Sequence, residues 1–353
     1  MKKTLIALAA LAATASFAQV SVYGRLDAGY AMTTNTVNGV DTKANGVQSH
    51  NSVSSMWGLK GSEDLGGGMK ANFVLEQDVY TANGEVGQSG AKGGATGVAM
   101  FDRTSLIGLS GGFGSVSFGR DYVPTFKLVG ATDVNSLSRL STIQNTGANS
   151  TVPSLVFYST PDFGGFKLNI AYGNQDSTVS GTAGDTSTKT TNVTAVYANG
   201  PLMVGVGTGS QEVKAAGAGN GTVTFGNVTL AGLTKVTGNV LGASYDFGKF
   251  ALKGNMVSTK GETAAADLKF DELNIGATVP FGKVTLIAQL GTNKVSGTGL
   301  VEDMTGSDVV IGVDYALSAK TALFAKTGTY GKMSGAGNDL KSTSTAIGIK
   351  TSF

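Results

Sequence analysis

The feature that most limits how this chain can fold is a two-residue alternation of apolar and polar side chains, renewed from residue 20 to the last residue. Val20, Val22, Gly24, Leu26, Ala28 and Tyr30 share one parity, and Ser21, Tyr23, Arg25, Asp27 and Gly29 share the other. Neighbours on a strand point to opposite faces, so each such segment predicts a strand with one apolar face and one polar, charged face. The pattern returns over 69–79, 166–173, 273–281, 284–290 and 309–315. Strand centres fall near residues 26, 57, 74, 106, 117, 157, 170, 195, 206, 241, 254, 276, 288, 312, 326 and 347.

The separators alternate in length. Short links lie at 63–68, 111–114, 162–165, 199–201, 246–249 and 280–283, between long polar stretches near 33–52, 81–98, 122–152, 175–190, 214–233, 261–269, 295–305 and 333–341. Tight hairpins on one rim and long loops on the other predict an all-β protein, a 16-stranded antiparallel transmembrane β-barrel with short periplasmic turns and long extracellular loops. Sixteen strands of ~11 residues with their links need roughly 320 residues, and an even count closes the sheet with no edge exposed to lipid. A soluble barrel of about eight strands would instead turn its apolar face inward.

The apolar parity must face lipid, because the other would place Arg25, Asp27, Lys70, Glu76, Asp78, Lys167, Lys253, Glu272, Asp314 and Lys350 in hydrocarbon, where a basic group costs about 2–4 kcal/mol at the midplane. The charged face therefore lines a wet lumen. Tyr30, Tyr80, Tyr172, Tyr197, Phe247, Phe250, Phe281, Tyr315 and Phe353 are candidates for the aromatic girdles at the membrane surfaces.

Met1, Lys2 and Lys3, an apolar run from Leu5 to Ala15, and Ser16-Phe17-Ala18 before Gln19 read as a signal peptide over 1–18. The rest, 19–353, reads as one barrel domain. Removing Lys2 and Lys3 from 26 basic residues leaves 24 against 24 acidic ones, and a neutral body argues against nucleic acid as a partner. With no cysteine, disulfides and Cys-built metal sites are excluded. The single histidine, His50, sits in a polar stretch and is expected to be exposed and inert, so a Ser-His-Asp triad is not expected. Glu63-Asp64, Asp271-Glu272 and Glu302-Asp303 are expected on turns or rims rather than as acid–base couples. No enzymatic activity, cofactor or metal site is expected.

Several segments carry a family resemblance: Val22-Tyr23-Gly24-Arg25-Leu26-Asp27, Trp57 through Ala71 with its Gly66-Gly67-Gly68, Gly108-Leu109-Ser110-Gly111-Gly112-Phe113-Gly114, Phe118-Gly119-Arg120-Asp121, and Tyr158 through Phe166. They resemble the opening segments of the Gram-negative general porins of betaproteobacterial type. The resemblance implies a homotrimer of diffusion pores in the cell outer membrane, each narrowed by a third loop folded into the barrel. It also implies contact with outer-membrane lipid and lipopolysaccharide. The terminal Phe353, behind Ile347, Ile349 and Thr351, resembles the signal read by the barrel-assembly machinery.

Selectivity in such a pore comes from charges at its narrowest level. Lumen parity offers Arg25, Asp27, Lys60, Glu76 and Asp102, and the third loop offers Lys127, Asp133 and Arg139 with Asp121 at its root. Arg103 and Arg120 share parity with outward residues, so a bulge or a subunit contact is needed to receive them. The anion-selective relatives stack arginines where this chain aligns Met56, Asp102 and Thr151, while Glu76 matches their acidic partner. The expectation is a passive channel for ions and small hydrophilic solutes, near neutral or mildly cation-preferring. The alternatives are a barrel serving surface structure or adhesion, and a solute-specific channel that its substrate would block.

Overall fold

The computed structural model describes residues 20–87, 100–144, 150–177, 186–215, 222–225, 228–298, 300, 302–333 and 340–353. The signal peptide expected over 1–18 lies outside these, as do parts of the loops expected near 81–98, 122–152, 175–190, 214–233, 295–305 and 333–341. Among the described residues the strands are β1 (Ser21–Val37), β2 (Val40–Ser49), β3 (Met56–Gly66), β4 (Met69–Asp78), β5 (Thr104–Gly111), β6 (Gly114–Tyr122), β7 (Thr151–Ser159), β8 (Phe166–Ser177), β9 (Thr186–Asn199) and β10 (Leu202–Ala215). They continue as β11 (Thr222–Phe225), β12 (Val228–Ala231), β13 (Lys235–Asp246), β14 (Ala251–Glu262), β15 (Asp267–Phe281), β16 (Val284–Gly297), β17 (Met304–Ala316), β18 (Thr321–Met333) and β19 (Leu340–Ser352). Among the described residues one helix, α1 (Pro124–Ala131), lies between β6 and β7.

Sixteen of these strands form the barrel wall, each antiparallel to its neighbours, and each contains one of the strand centres read from the sequence. The sheet closes where β1 pairs with β19, from Arg25↔Ser352 to Val37↔Leu340. Two expected loops carry strands of their own. The polar stretch near 33–52 is the upper half of β1 hairpinned onto β2, with Ala28↔Ser49 to Val37↔Val40 in register, and β3 takes the lower half of β1 from Ser21↔Lys60 to Arg25↔Met56. The stretch near 214–233 contains the separate hairpin of β11 and β12.

The faces follow the parity. Along β15 the odd residues Leu273, Ile275, Val279 and Phe281 are exposed to the outside, while Glu272 and Asn274 are buried on the inside. Expected girdle residues Tyr30, Tyr172, Tyr197, Phe247, Phe250, Phe281, Tyr315 and Phe353 are exposed. Tyr80 departs from that set: it is half-buried, with its ring 4.6 Å from His50. On the short-turn rim, Asp162 accepts the Gly165 N–H at 2.6 Å, which holds its carboxyl below the usual carboxylate range.

Candidate functional site

The site is built by the segment between β6 and β7, which turns into the barrel. Pro124 at its first turn suits the helix start, where an N–H would have no partner. The helix then lies against the inner wall, with Asn192 of β9 gripping Thr125: Asn192 Oδ1 accepts its N–H at 2.9 Å and Nδ2 donates to its Oγ1 at 2.8 Å.

The wall is shaped to receive it. A Cβ on Gly205 would come within 2.6 Å of Leu128, on Gly242 within 2.9 Å of Thr132, on Gly276 within 2.5 Å of Val134, and on Gly291 within 3.0 Å of Thr142. These glycines stand on β10, β13, β15 and β16, and between them Asn255 of β14 donates to Thr132 Oγ1 at 3.1 Å, so a track of glycines broken by one amide crosses the lumen wall and the loop lies in it.

Beyond the helix, Asp133 organises the turn. Its carboxylate accepts the N–H groups of Asn135 at 2.9 Å and Leu137 at 2.6 Å, the Ser141 hydroxyl at 3.0 Å and Nε2 of Gln289 at 3.0 Å. This grip holds Ser136 and Leu137 at φ 57° and 50°, a left-handed conformation that costs an L-residue roughly 1–2 kcal/mol. Lys326 donates to Asn135 Oδ1 at 2.9 Å, Thr142 donates to Asn274 Oδ1 at 2.6 Å, and Glu272 accepts the Gln144 N–H at 3.0 Å. The loop ends its crossing beside the barrel seam, where Leu140 packs with Ala31, Phe324 and Ala346 and the Arg139 N–H reaches the His50 carbonyl at 2.8 Å.

Facing the loop is a cluster of charge. Arg103 is buried, bonded to Asp78 Oδ1 at 2.5 Å and Ser54 Oγ at 2.9 Å, 3.7 Å from Glu76, and placed over the Tyr122 ring at 5.1 Å. Glu76 accepts the Tyr23 hydroxyl at 2.7 Å and the Thr104 hydroxyl at 3.3 Å. Asp121 accepts the Thr104 hydroxyl at 3.1 Å and pairs with Lys127, whose side chain is 55% exposed against 8% for the acid. Arg25 is half-buried and donates from Nε to the Ser54 carbonyl at 2.7 Å. Arg25, Glu76, Arg103, Asp121 and Lys127 all line one cavity of about 900 Å³ under the helix.

The other expected residues lie elsewhere. Asp27 is buried within the wall and accepts the N–H groups of Asn51, Ser52 and Val53 at 3.0, 2.6 and 3.1 Å, fixing the link between β2 and β3. Asp102 is buried at the strand ends, accepting the Asp78 N–H at 3.1 Å. Arg120 pairs with Ser105, which puts it on the outer face, and its guanidinium reaches the Asp102 carbonyl at 3.4 Å. Lys60 is exposed in the lower lumen, 4.8 Å above the Tyr23 ring. Arg139 is exposed on the loop, and Phe353 closes the seam by exchanging backbone bonds with Gly24 at 3.0 and 3.2 Å. His50, expected to be exposed, is half-buried at φ 65° with Nε2 3.0 Å from the Val79 carbonyl. Glu272 is an inward, loop-holding residue of β15 rather than a rim acid, while Asp271 beside it turns outward to Lys269 at 2.8 Å.

Sequence reading missed the glycine track and the amides Asn192, Asn274 and Gln289. A signal was present: these residues share the inward parity on strands between β9 and β16, where small or amide side chains replace the charged ones expected against open water. Arg103 escaped parity because residues 100–103 are irregular, with Phe101 at φ 59°, so alternation does not run through them. The aligned arginine positions also find neighbours: Arg25 is the cross-strand partner of Met56, and Arg103 follows Asp102.

The sequence profile of the Gram-negative porins matches residues 4–333. The outer membrane porin protein 32 of Delftia acidovorans is 34% identical over 298 residues, covering 80% of this chain and 77% of that one. An outer membrane porin protein of Bordetella pertussis is 32% identical, over 58% of each chain. Among solved structures, an anion-selective porin from Comamonas acidovorans superposes with a TM-score of 0.73 at 26% identity, over 96% of this chain and all of that one.

Proposed function

This chain belongs to the Gram-negative porin family and is an outer-membrane porin, and on that premise we propose that its lumen passes ions and small hydrophilic solutes by diffusion, with a modest preference for anions. The observation that carries this reading is a difference in exposure. Asp27, Asp78, Asp102 and Asp121, at the level of the inserted loop, are buried and hydrogen-bonded in the wall, and Asp133 is buried and hydrogen-bonded within the loop, whereas Arg25, Lys127 and Arg139 reach the water. Toward the short-turn rim, the charged lining of a second lumen cavity is Arg25, Lys283, Lys320 and Lys350 against Asp314 alone. Glu76 remains beside the passage and limits the preference. This moves the reading away from the neutral or mildly cation-preferring pore expected from balanced composition, and the anion-selective relative supports the same direction.

In this reading three copies assemble side by side, residues 1–18 serve as the export leader, and the chain works by shape and charge rather than catalysis. Support for assembly through the wall of β3 to β6 comes from its outer face, which carries Arg120 and the pair Trp57–Gln77, bonded at 3.1 Å. Such groups suit a protein neighbour better than hydrocarbon. Lipopolysaccharide and the assembly machinery are the further partners proposed. Reconstitution into planar bilayers under a potassium chloride gradient tests the function: conductance in groups of three steps and a reversal potential of anion sign are expected, and a cation-sign potential would overturn the anion reading.

A further inference from the structure

The cavity under the helix is not lined as a general diffusion path requires. Between the cationic level above and the short-turn rim below, its surface includes the half-buried Val74, Leu106, Phe126, Leu137, Val196 and Met203. These lie at lumen parity or on the inserted loop, where the sequence pattern predicted a polar, charged lining. The apolar wall is also ordered: Phe126 stacks on Tyr122 with centroids 4.4 Å apart and planes within 15°, and Lys127 stands 5.9 Å from the Phe157 ring. At its upper edge Arg25 donates to protein only through Nε among the described residues, so both terminal nitrogens remain for a ligand. The remaining charges of the cavity answer one another: Asp121 is paired with Lys127, and Glu76 is held by Arg103, Tyr23 and Thr104.

A guanidinium with two unspent nitrogens matches a carboxylate, and a flat apolar face beside it matches a ring. We propose that this cavity is a binding subsite for small aromatic carboxylates, which dock the carboxylate on Arg25 and lay the ring along Phe126, Leu106 and Val196. At about 900 Å³ it admits such a molecule together with water, so the ligand slows passage without sealing the pore. The inference deepens the reading of an anion-preferring channel and rests on the lumen being open.

The test uses the reconstituted full-length barrel in a constant potassium chloride background, titrated in turn with benzoate, acetate and benzylammonium. Benzoate should reduce single-channel current with saturation, at a half-effect concentration about ten-fold below that of acetate, and benzylammonium should not reproduce it. Arg25→Gln should remove the benzoate effect, Arg25→Lys should restore part of it, and Phe126→Ser should bring benzoate to the level of acetate. Heat-resistant migration of each variant reports that it has folded. Equal effects of benzoate and acetate in the wild type, or benzoate block that survives Arg25→Gln, would overturn the proposal. The salt-gradient potential is read separately: anion preference without benzoate block sinks the subsite alone, and benzoate block with cation preference sinks the selectivity reading alone.

Discussion

Asp27 shows that a charged residue of lumen parity can be spent on the wall instead of the passage. Asp27 satisfies three consecutive backbone N–H groups in a buried link, and a buried donor left without its acceptor costs about 1–3 kcal/mol. Asp27→Ala is therefore expected to destabilise the folded barrel by about 3 kcal/mol, with Asp27→Asn in between. The midpoint of urea unfolding in detergent measures both, and an alanine variant as stable as the wild type would show the link to be held by other contacts. Arg103 is bound to two acids, so its removal leaves Asp78 buried without its cation, a loss of about 3–5 kcal/mol. Arg103→Gln should both lower the unfolding midpoint and shift the reversal potential toward cations. Lys127→Gln, on an exposed side chain paired with the buried Asp121, should shift the potential at a smaller loss of stability, because Asp121 keeps the Thr104 hydroxyl and the Tyr122 N–H as donors. Equal stability losses in the two variants would contradict this division.

Among elements, the inserted segment depends most on what its neighbours lack. The Cβ of a residue at Gly242 would stand 2.9 Å from Thr132 and 3.4 Å from Leu128, so Gly242→Leu should lift the end of α1 from the wall while β13 keeps its pairing. The expected result is a changed single-channel conductance with normal assembly. Unaltered conductance in Gly242→Leu and Gly276→Leu together would mean the loop does not set the bore. The strands were legible in the sequence because alternation is a local property, and each expected centre lies within a strand. The loop's insertion was legible only by resemblance, and its seat was not: 53 glycines serve turns, close strand approaches and the track alike, and only tertiary pairing separates Gly242 from the rest. The charge cluster was legible as to residue type but not as to partner. Parity says which face Asp27 occupies, yet not that the chain from 50 to 55 folds back to consume it, and it fails outright at the irregular segment before β5.

At the scale of the whole molecule, closure joins the two ends of the chain. The ring of Phe353 lies against Gly24, where an added Cβ would be 2.6 Å from it, and the two residues exchange backbone bonds across the seam. Deleting Phe353 should lower the amount of folded barrel in the outer membrane without altering the conductance of the molecules that insert; unchanged membrane levels would set the terminal aromatic aside as an assembly feature. The same seam receives the tip of the inserted segment, since Leu140 packs on Ala31 from one end of the chain and on Phe324 and Ala346 from the other. That floor does not exist until first and last strands meet. The segment issues from the middle of the sequence, yet the seat of its tip is made of both ends of the chain, so the width of the bore depends on a joint made far away in sequence.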